Sequence, residues 1–449
     1  MNQLIKHMMF SAVAIFASST ALMAQVSEPA STNYDNVLLN LNLEKAIEIA
    51  IAENPTIKVA DKEIELKKIA DTEAWQALLP TVDASLALQH SIKVAEIKTS
   101  MGKFKMGMDG STTATGGITA NIPLFAPAVY QNMKLTKQDI ELAQEAARGS
   151  RLDLINQVKK AYYSALLAQD SYEVIQRSYK VAKENYEVVD KKFSVGKVSE
   201  YDKISAEVQM RSMSSAVVSA QNGVKLANLR LKVLMGINST IDVKINDSLK
   251  AYESKLTLPA DYVSDEVDNN TNLRQIDMNM GKLERARKVI QTNFMPTVGA
   301  QLQGQYQSMS NENWNFFKYE FSPSITFALS VNIPIYHAST FTKLKTNKLQ
   351  LNQLIDTRQD TKNQLNMAAQ SYRQNMISTV AKLESDRQAV TQANKAVDIS
   401  AKRYDVGRGT ILELNQSETA LTQAELTLDQ SIYDYLTNKA DFDYTLGRE

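Results

Sequence analysis

The side chains that most often make and break bonds are nearly missing from this chain. Its 449 residues hold no cysteine and three histidines, His7, His90 and His337. Thiolate chemistry is excluded, and a histidine-based metal centre or a nucleophile–histidine pair has almost no material. No glycine-rich phosphate loop stands out. Carboxylates are plentiful, yet they recur at helix-surface spacing, where acids are solvated and pair with bases one turn away. Lys plus Arg equals Asp plus Glu at fifty each, so no net field favours nucleic acid. What remains is a set of polar side chains, Asp83, Thr113, Gln301, Gln303 and Gln305, that alternate with apolar neighbours and ask for water. No enzyme, metal or cofactor is expected.

The elements that must position that polar set are legible from their period. Asn121-Ile122-Pro123-Leu124-Phe125 has a copy at Asn332-Ile333-Pro334-Ile335-Tyr336. Before each copy, side chains alternate apolar and polar, the period of a strand with one oily face. After each, apolar residues return every three or four positions for roughly sixty residues, the period of a long helix. Proline removes a backbone donor and disfavours helix in the residue before it, so it suits such a change.

Residues 1–24 read as a secretory signal: Lys6 and His7, an apolar run from Met8 to Phe16, then small residues, with cleavage expected after Ala24 or, second, Ala21. Without cysteine, a lipid anchor at the mature N-terminus is not expected. No later apolar run reaches the eighteen residues of a membrane helix, so any membrane passage must use strands.

Residues 25–236 form a first repeat. It opens with an extended arm up to about Asn42 and a helix from Leu43 to Leu79, interrupted near Pro55. A β-hairpin follows over 81–125, closed by a loop at Thr99 to Gly110, with Ile92 and Val94 still on the apolar face of the first strand. A helix then runs from about Ala126 to Phe193. Tyr172, Tyr179, Tyr186 and Phe193, interleaved with Ile175, Ala182 and Val189, give that helix a coiled-coil seam. The chain turns at Ser194-Val195-Gly196-Lys197 and returns as a helix ending at Gly236.

Residues 237–266 are a connector with one possible short strand around Ile241, Val243 and Ile245, and short apolar positions at Leu256 and Leu258. Residues 267–449 repeat the plan, with a hairpin over 297–336. There Tyr319, Phe321, Ile325, Phe327, Leu329, Val331, Ile333 and Ile335 share a face. Pro323 is expected beyond the bilayer or at a bulge, and Trp314, Phe316 and Phe317 fall in the loop, as in an aromatic belt. Val195-Gly196 and Val406-Gly407 lie 211 apart, as do the two Asn-Ile-Pro copies and Gly236 and Gly447, while Leu79-Pro80-Thr81-Val82 and Met295-Pro296-Thr297-Val298 lie 216 apart. The chain is a tandem duplication.

One chain thus offers four strands. The alternation alone fits either membrane strands or a sheet resting on a soluble core. In lipid, four strands cannot close around water, and open edges leave backbone groups unpaired at several kcal/mol each. Eight strands would be filled by side chains, whereas twelve leave a wet interior, so the polar face favours a trimer.

With these features the chain resembles the TolC family of bacterial outer-membrane efflux channels over nearly its whole mature length. The most specific matches are the turns Phe193-Ser194-Val195-Gly196-Lys197 and Tyr404-Asp405-Val406-Gly407-Arg408 and the Asn-Ile-Pro junctions. The resemblance implies a mainly α fold with membrane β-strands. Four strands per protomer would enter a trimeric twelve-stranded outer-membrane β-barrel, standing on a long periplasmic α-helical coiled-coil barrel with an equatorial belt at the connector. It implies a homotrimer in outer-membrane lipid, a periplasmic adaptor protein, and an inner-membrane pump or ABC exporter reached through it.

The resemblance also places a periplasmic gate at Tyr404 with its partner Asp202, and a ring acid at Glu413. Arg408 stands beside Gly409, where the family can carry a latch arginine, and the family's second ring acid falls on Gln416. Adaptor docking falls on Val195, Gly196, Lys197, Val406 and Gly407. For Tyr404 the alternative is a plain seam residue continuing the Val390, Val397 spacing; for Glu413 it is a solvated carboxylate. The rival to a channel is a periplasmic coiled-coil spacer or adhesin-like protein. Within the channel reading, drug efflux, metal-ion efflux and protein secretion all fit.

Overall fold

The computed structural model describes residues 39–100, 102–105, 109–239, 241–254, 256–257, 264–310 and 319–448. The expected signal, most of the arm, Leu258 and the aromatics Trp314, Phe316 and Phe317 lie outside the described residues. Strand β1 (Leu39–Leu41) leads to helices α1 (Leu43–Glu53) and α2 (Pro55–Gln76). Strands β2 (Thr81–Ser91), β3 (Glu96–Thr99), β4 (Gly102–Lys105) and β5 (Ser111–Phe125) precede the long helix α3 (Pro127–Ser194) and the return helix α4 (Glu200–Met235). Then come β6 (Val243–Ile245), the short α5 (Leu249–Glu253), a 3₁₀ turn (Ser264–Asn269) and α6 (Thr271–Gln291). Strands β7 (Thr297–Ser310) and β8 (Ser322–Asn332), the long α7 (Ala338–Asp405) and the return α8 (Ile411–Thr445) complete the chain.

The two hairpins join into one antiparallel sheet of order β2-β5-β7-β8. Its register sorts the faces. Val82, Ala120, Leu302 and Phe327 lie side by side across all four strands, as do Ala84, Ile118, Gly304 and Ile325. One residue along, Asp83, Thr119, Gln303 and Thr326 form a polar row, followed by Ser85, Gly117, Gln305 and Ser324. Gln301 Nε2 donates to Asn121 Oδ1 at 3.1 Å and Gln303 Nε2 to Gln305 Oε1 at 3.0 Å, so the polar row is tied together. Thr113 lies on this face between Gln89 and Met309. Eleven residues in β2 and β8, at about 3.4 Å each, give roughly 37 Å. Tilted by about 40°, that rises some 28 Å, close to the apolar band of an outer-membrane barrel. Ile325 and Phe327 of β8 and Leu86 of β2 are 83%, 70% and 77% exposed within the chain.

Below the sheet stand α3 and α7, each of 68 residues and about 100 Å long at 1.5 Å per residue. Neither has a partner of its own length. Beside α3 lie α2, packed against its upper part, and α4, packed against its lower part; α6 and α8 accompany α7 in the same way. Where the paired helices meet, the same clasp occurs twice. Asn54 caps α2 by accepting from Thr56 N at 2.8 Å, and its Nδ2 donates to Leu234 O at 2.8 Å near the end of α4. Asn270 caps α6 by accepting from Asn272 N at 2.9 Å, and its Nδ2 donates to Thr445 O at 2.9 Å near the end of α8. The return helices end in left-handed Gly236 and Gly447, both at φ 69°. A Cβ on Gly447 would stand 2.3 Å from Asn269 O, and one on Gly236 2.8 Å from Glu53 O. Around the clasps lies the main apolar core, including Ala46, Tyr162, Leu166, Met235, Leu249, Leu273, Met376 and Ile432.

Several expectations are corrected. The short connector strand is present as expected, at Val243–Ile245; what the reading lacked is its parallel pairing with Leu39–Leu41, the extended end of the arm, and the helix α5. The break expected near Pro55 is present, with Asn54 ending α1 and capping α2, but α2 stops at Gln76, short of Leu79. Strand β2 stops at Ser91, leaving Ile92 and Val94 beyond it. A small hairpin, β3–β4, in register Glu96 with Lys105, straddles the start of the loop expected at Thr99 to Gly110. Pro323 is not at a bulge: it is the second residue of β8, opposite Tyr306 in unbroken register, near the end of an edge strand. Tyr319 and Phe321 precede β8, and Ile333 and Ile335 follow it: unlike β5, which continues through Pro123 to Phe125, β8 ends at Asn332, before Pro334.

Gly407 and Gly447 separate backbone strain from crowding. Both are left-handed, but a Cβ on Gly407 meets nothing within 4 Å. Gly407→Ala should cost about 1–2 kcal/mol, the left-handed penalty alone. Gly447→Ala should lower the thermal midpoint clearly further, because Asn269 must also move.

Candidate functional site

The lower ends of the helices form the tips. Both turns are built alike, and glycine dictates why. Gly196 (φ 71°) and Gly407 (φ 72°) follow the helix caps Val195 and Val406. The next N–H closes back on the helix, Lys197 N to Lys192 O at 2.9 Å and Arg408 N to Arg403 O at 2.8 Å. Ser199 and Thr410 then cap the return helices, accepting from Asp202 N and Glu413 N at 3.2 Å each. Asp202 and Glu413 are thus equivalent positions of the two repeats, third residues of helices whose N-terminal dipole favours a negative charge. Phe193 and Tyr404 are equivalent too, and only the second carries a hydroxyl. Val195 and Val406 are 66% and 69% exposed, and Gly196, Lys197, Gly407 and Arg408 are exposed with them.

Between the turns a small core brings the two hairpins together. Val189 of α3, Ala206 of α4 and Ile411 and Leu414 of α8 are buried, with Tyr186, Val198, Ala401 and Tyr404 packed against them. Tyr404 is therefore a seam residue by position. Its hydroxyl is buried without a hydrogen-bond partner. Burial, then the charges of Asp202 and Asp405, hold its pKa above the usual tyrosine value, so it stays protonated. Asp202 lies near enough to act on Tyr404, but its carboxylate serves its own helix: Oδ2 accepts from Ser199 N at 3.2 Å and from Ser199 Oγ at 2.8 Å. Gln416 is exposed.

Basic residues absent from the sequence reading complete the site. Lys192 Nζ sits 4.9 Å from the centre of the Tyr404 ring and 3.8 Å from Asp405 Oδ1. Lys203 pairs with Asp190 at 2.7 Å and lies over the Phe193 ring at 5.1 Å. Arg403 spans the second turn, with Nη2 donating to Arg408 O at 3.2 Å and Nη1 3.5 Å from Glu413 Oε2. A Cβ on Gly409 would lie 3.1 Å from Arg403 Cβ and 3.2 Å from Tyr404 N, so the turn is closed tightly where the family can carry an arginine. Repeat equivalence was the one signal that could have found Lys192 and Arg403; Lys203, whose counterpart is Leu414, had none. Their partners lie on neighbouring elements, which periodicity does not pair.

Above the tip cluster, α3 and α8 meet through polar groups: Asn185 Nδ2 to Glu418 Oε1 at 2.6 Å, Ser178 with Thr422 at 2.7 Å, and Arg177 to Glu425 at 3.1 Å. Burial raises the Glu418 pKa, partly offset by the Asn185 bond. Higher still, Asp429 is 1% exposed and its Oδ1 has no partner. Burial, with Asp170 adding to it, pushes its pKa up to about 6. Asp170 itself accepts from Leu249 N at 2.8 Å. Among the described residues, no three histidine or carboxylate side chains stand in a metal-binding cluster, and no helix is long and apolar enough to cross a membrane.

A four-stranded sheet on two paired, 68-residue helices with duplicated tips defines a TolC-like fold, a helical barrel segment carrying a strand component. The family model for outer membrane efflux proteins matches residues 46–237 and 263–448, and the chain belongs to that family. Among its relatives, the alkaline protease secretion protein AprF of Pseudomonas aeruginosa is 23% identical over 417 residues, covering 91% of this chain and 84% of that protein. The Campylobacter jejuni CmeC outer membrane channel superposes with a TM-score of 0.72 at 16% identity, covering 90% of this chain and 85% of that one. The open state of the Neisseria gonorrhoeae MtrE outer membrane channel gives 0.71 at 20% identity, covering 90% and 89%.

Asp429 yields a pH prediction. Its folded pKa of about 6 exceeds the ordinary 3.8, so the folded state binds the proton more tightly. The penalty of the buried charge is present at pH 7 and is relieved as pH falls through about 6. Asp429→Asn should raise stability at pH 7 and flatten its rise between pH 7 and 5, read as thermal midpoints at each pH.

Proposed function

We propose that the chain is the exit duct of a tripartite efflux pump or type I secretion system. Three copies join their sheets into a twelve-stranded barrel in the outer membrane and their helices into a tube across the periplasm. The observation that carries this reading is the sheet with two open edges, β2 and β8. In lipid those edge groups must be paired, and only other copies can do so while keeping the polar row wet. A second feature supports it: α4 leaves Tyr201, Ile204, Val208, Val218, Leu226, Leu229 and Val233 exposed at helical spacing, an apolar flank without a partner inside the chain. The names of AprF, CmeC and MtrE, a secretion protein and two outer membrane channels, agree with a duct.

Transport in this reading is passage and gating. The tips close the periplasmic end, with Tyr404 and Asp202 holding the second hairpin against the first. Glu413, repeated three times, rings the constriction and attracts cations. An adaptor docks at the exposed turns Val195-Gly196-Lys197 and Val406-Gly407 and connects the duct to an inner-membrane pump or ABC exporter, which fixes the cargo.

Because the chain has no cysteine, single cysteines can be placed cleanly. Cysteine pairs scanned along Ser85–Gln89 and Ser324–Ser330 should form oxidised links between chains, giving a ladder ending at trimer, from a detergent-extracted, heat-resistant oligomer. A water-soluble monomer without such links would leave the spacer reading standing. Tyr404→Phe with Asp202→Ala should raise conductance in planar bilayers; an unchanged conductance would remove the latch.

A further inference from the structure

We propose that Arg403 sets the ion selectivity of the duct by neutralising Glu413 within the same turn. The proposal rests on Glu413 facing the constriction, as argued above. Arg403 leaves the last turn of α7 and crosses to the first turn of α8, bonded at 3.2 Å to the carbonyl of Arg408 and 3.5 Å from Glu413 Oε2. That oxygen is buried and accepts no hydrogen bond, so Arg403 is its charge partner. The crossing depends on Gly409: a Cβ there would press on Arg403 Cβ at 3.1 Å and on the Tyr404 backbone at 3.2 Å.

The first tip makes the contrast. Its equivalent base, Lys192, turns away from its equivalent acid, Asp202, and sits over the Tyr404 ring beside Asp405. Asp202 instead accepts from Ser199. Only the second turn places a guanidinium against its own return-helix acid. Three unpaired Glu413 carboxylates would give a ring of three negative charges; three Arg403 guanidinia a few ångströms away cancel most of that field. Arg403 is therefore a specificity-setting residue whose loss unmasks the ring.

The test is a cycle of reversal potentials across planar bilayers under a potassium chloride gradient. It uses the full trimer, with the heat-resistant oligomer on gels reporting folding. Arg403→Gln should raise cation over anion permeability by roughly two- to fivefold at low salt, the scale of an exposed ion pair, and less at 1 M salt. Glu413→Gln should lower it, because the guanidinium is left unmatched, and the double variant, which carries neither charge, should return close to wild type. Arg403→Lys keeps the charge and should keep wild-type selectivity. A shift in Glu413→Gln alone would overturn the role of Arg403 and leave the ring in place. No shift in either variant would overturn the ring itself, and the present proposal with it. A shift in Arg403→Lys as large as in Arg403→Gln would show that Arg403 acts through turn geometry and would overturn the charge mechanism.

Discussion

Hydrogen bonding along two strand edges is the constraint on which the rest depends. β2 and β8 each offer one row of N–H and C=O groups to a neighbour that the chain does not contain. The oily row through Val82, Ala120, Leu302 and Phe327 suits hydrocarbon, and the polar row through Asp83, Thr119, Gln303 and Thr326 suits water. No arrangement of one chain satisfies both faces and both edges in a membrane. The helices repeat that demand, since α4 leaves an apolar flank open in the same chain.

Below the sheet, stability is distributed unevenly. The Asn54 and Asn270 clasps and the core around Tyr162 and Leu249 fix the middle of the molecule, where strand β1, the connector and both return-helix ends converge. Towards the tips, α3 and α8 touch through Ser178–Thr422 and Asn185–Glu418, pairs that water can replace at modest cost. Within each hairpin the seam is apolar, as at Val189 and Ala206. Separating one hairpin from the other is therefore cheaper than opening either hairpin, until the small core beneath Tyr404 is reached.

Much of this was legible in the sequence, for identifiable reasons. Long helices and alternating strands have strong periods, and the tip glycines are demanded by a left-handed backbone, so these features show without coordinates. The parallel pairing of Leu39–Leu41 with Val243–Ile245 joins two three-residue segments two hundred positions apart, too short for any period. Asn54 and Asn270 look like ordinary helix caps; their second bond, to a carbonyl on another helix, has no local signature. At the tips, the family resemblance pointed to Tyr404, Asp202 and Glu413. Arg403 and Lys192 were missed because each acts across a turn or between helices, a relation that spacing along one helix does not encode.

The equal length of α3 and α7 has a consequence for how such a chain can change. Each residue inserted in an α-helix turns everything beyond it by about 100° and moves it about 1.5 Å. An insertion in α3 alone would swing Val189 and the first turn away from the small core they share with Ile411 and Leu414, while α7 stayed in phase. Gains and losses of residues in the shafts must therefore come in matched steps or be excluded. The hairpins are free of that coupling: offsets of 216 before them and 211 after them show that the first is five residues longer than the second. Divergence in length collects at the outer rim, and the shafts behave as a pair of calibrated rods.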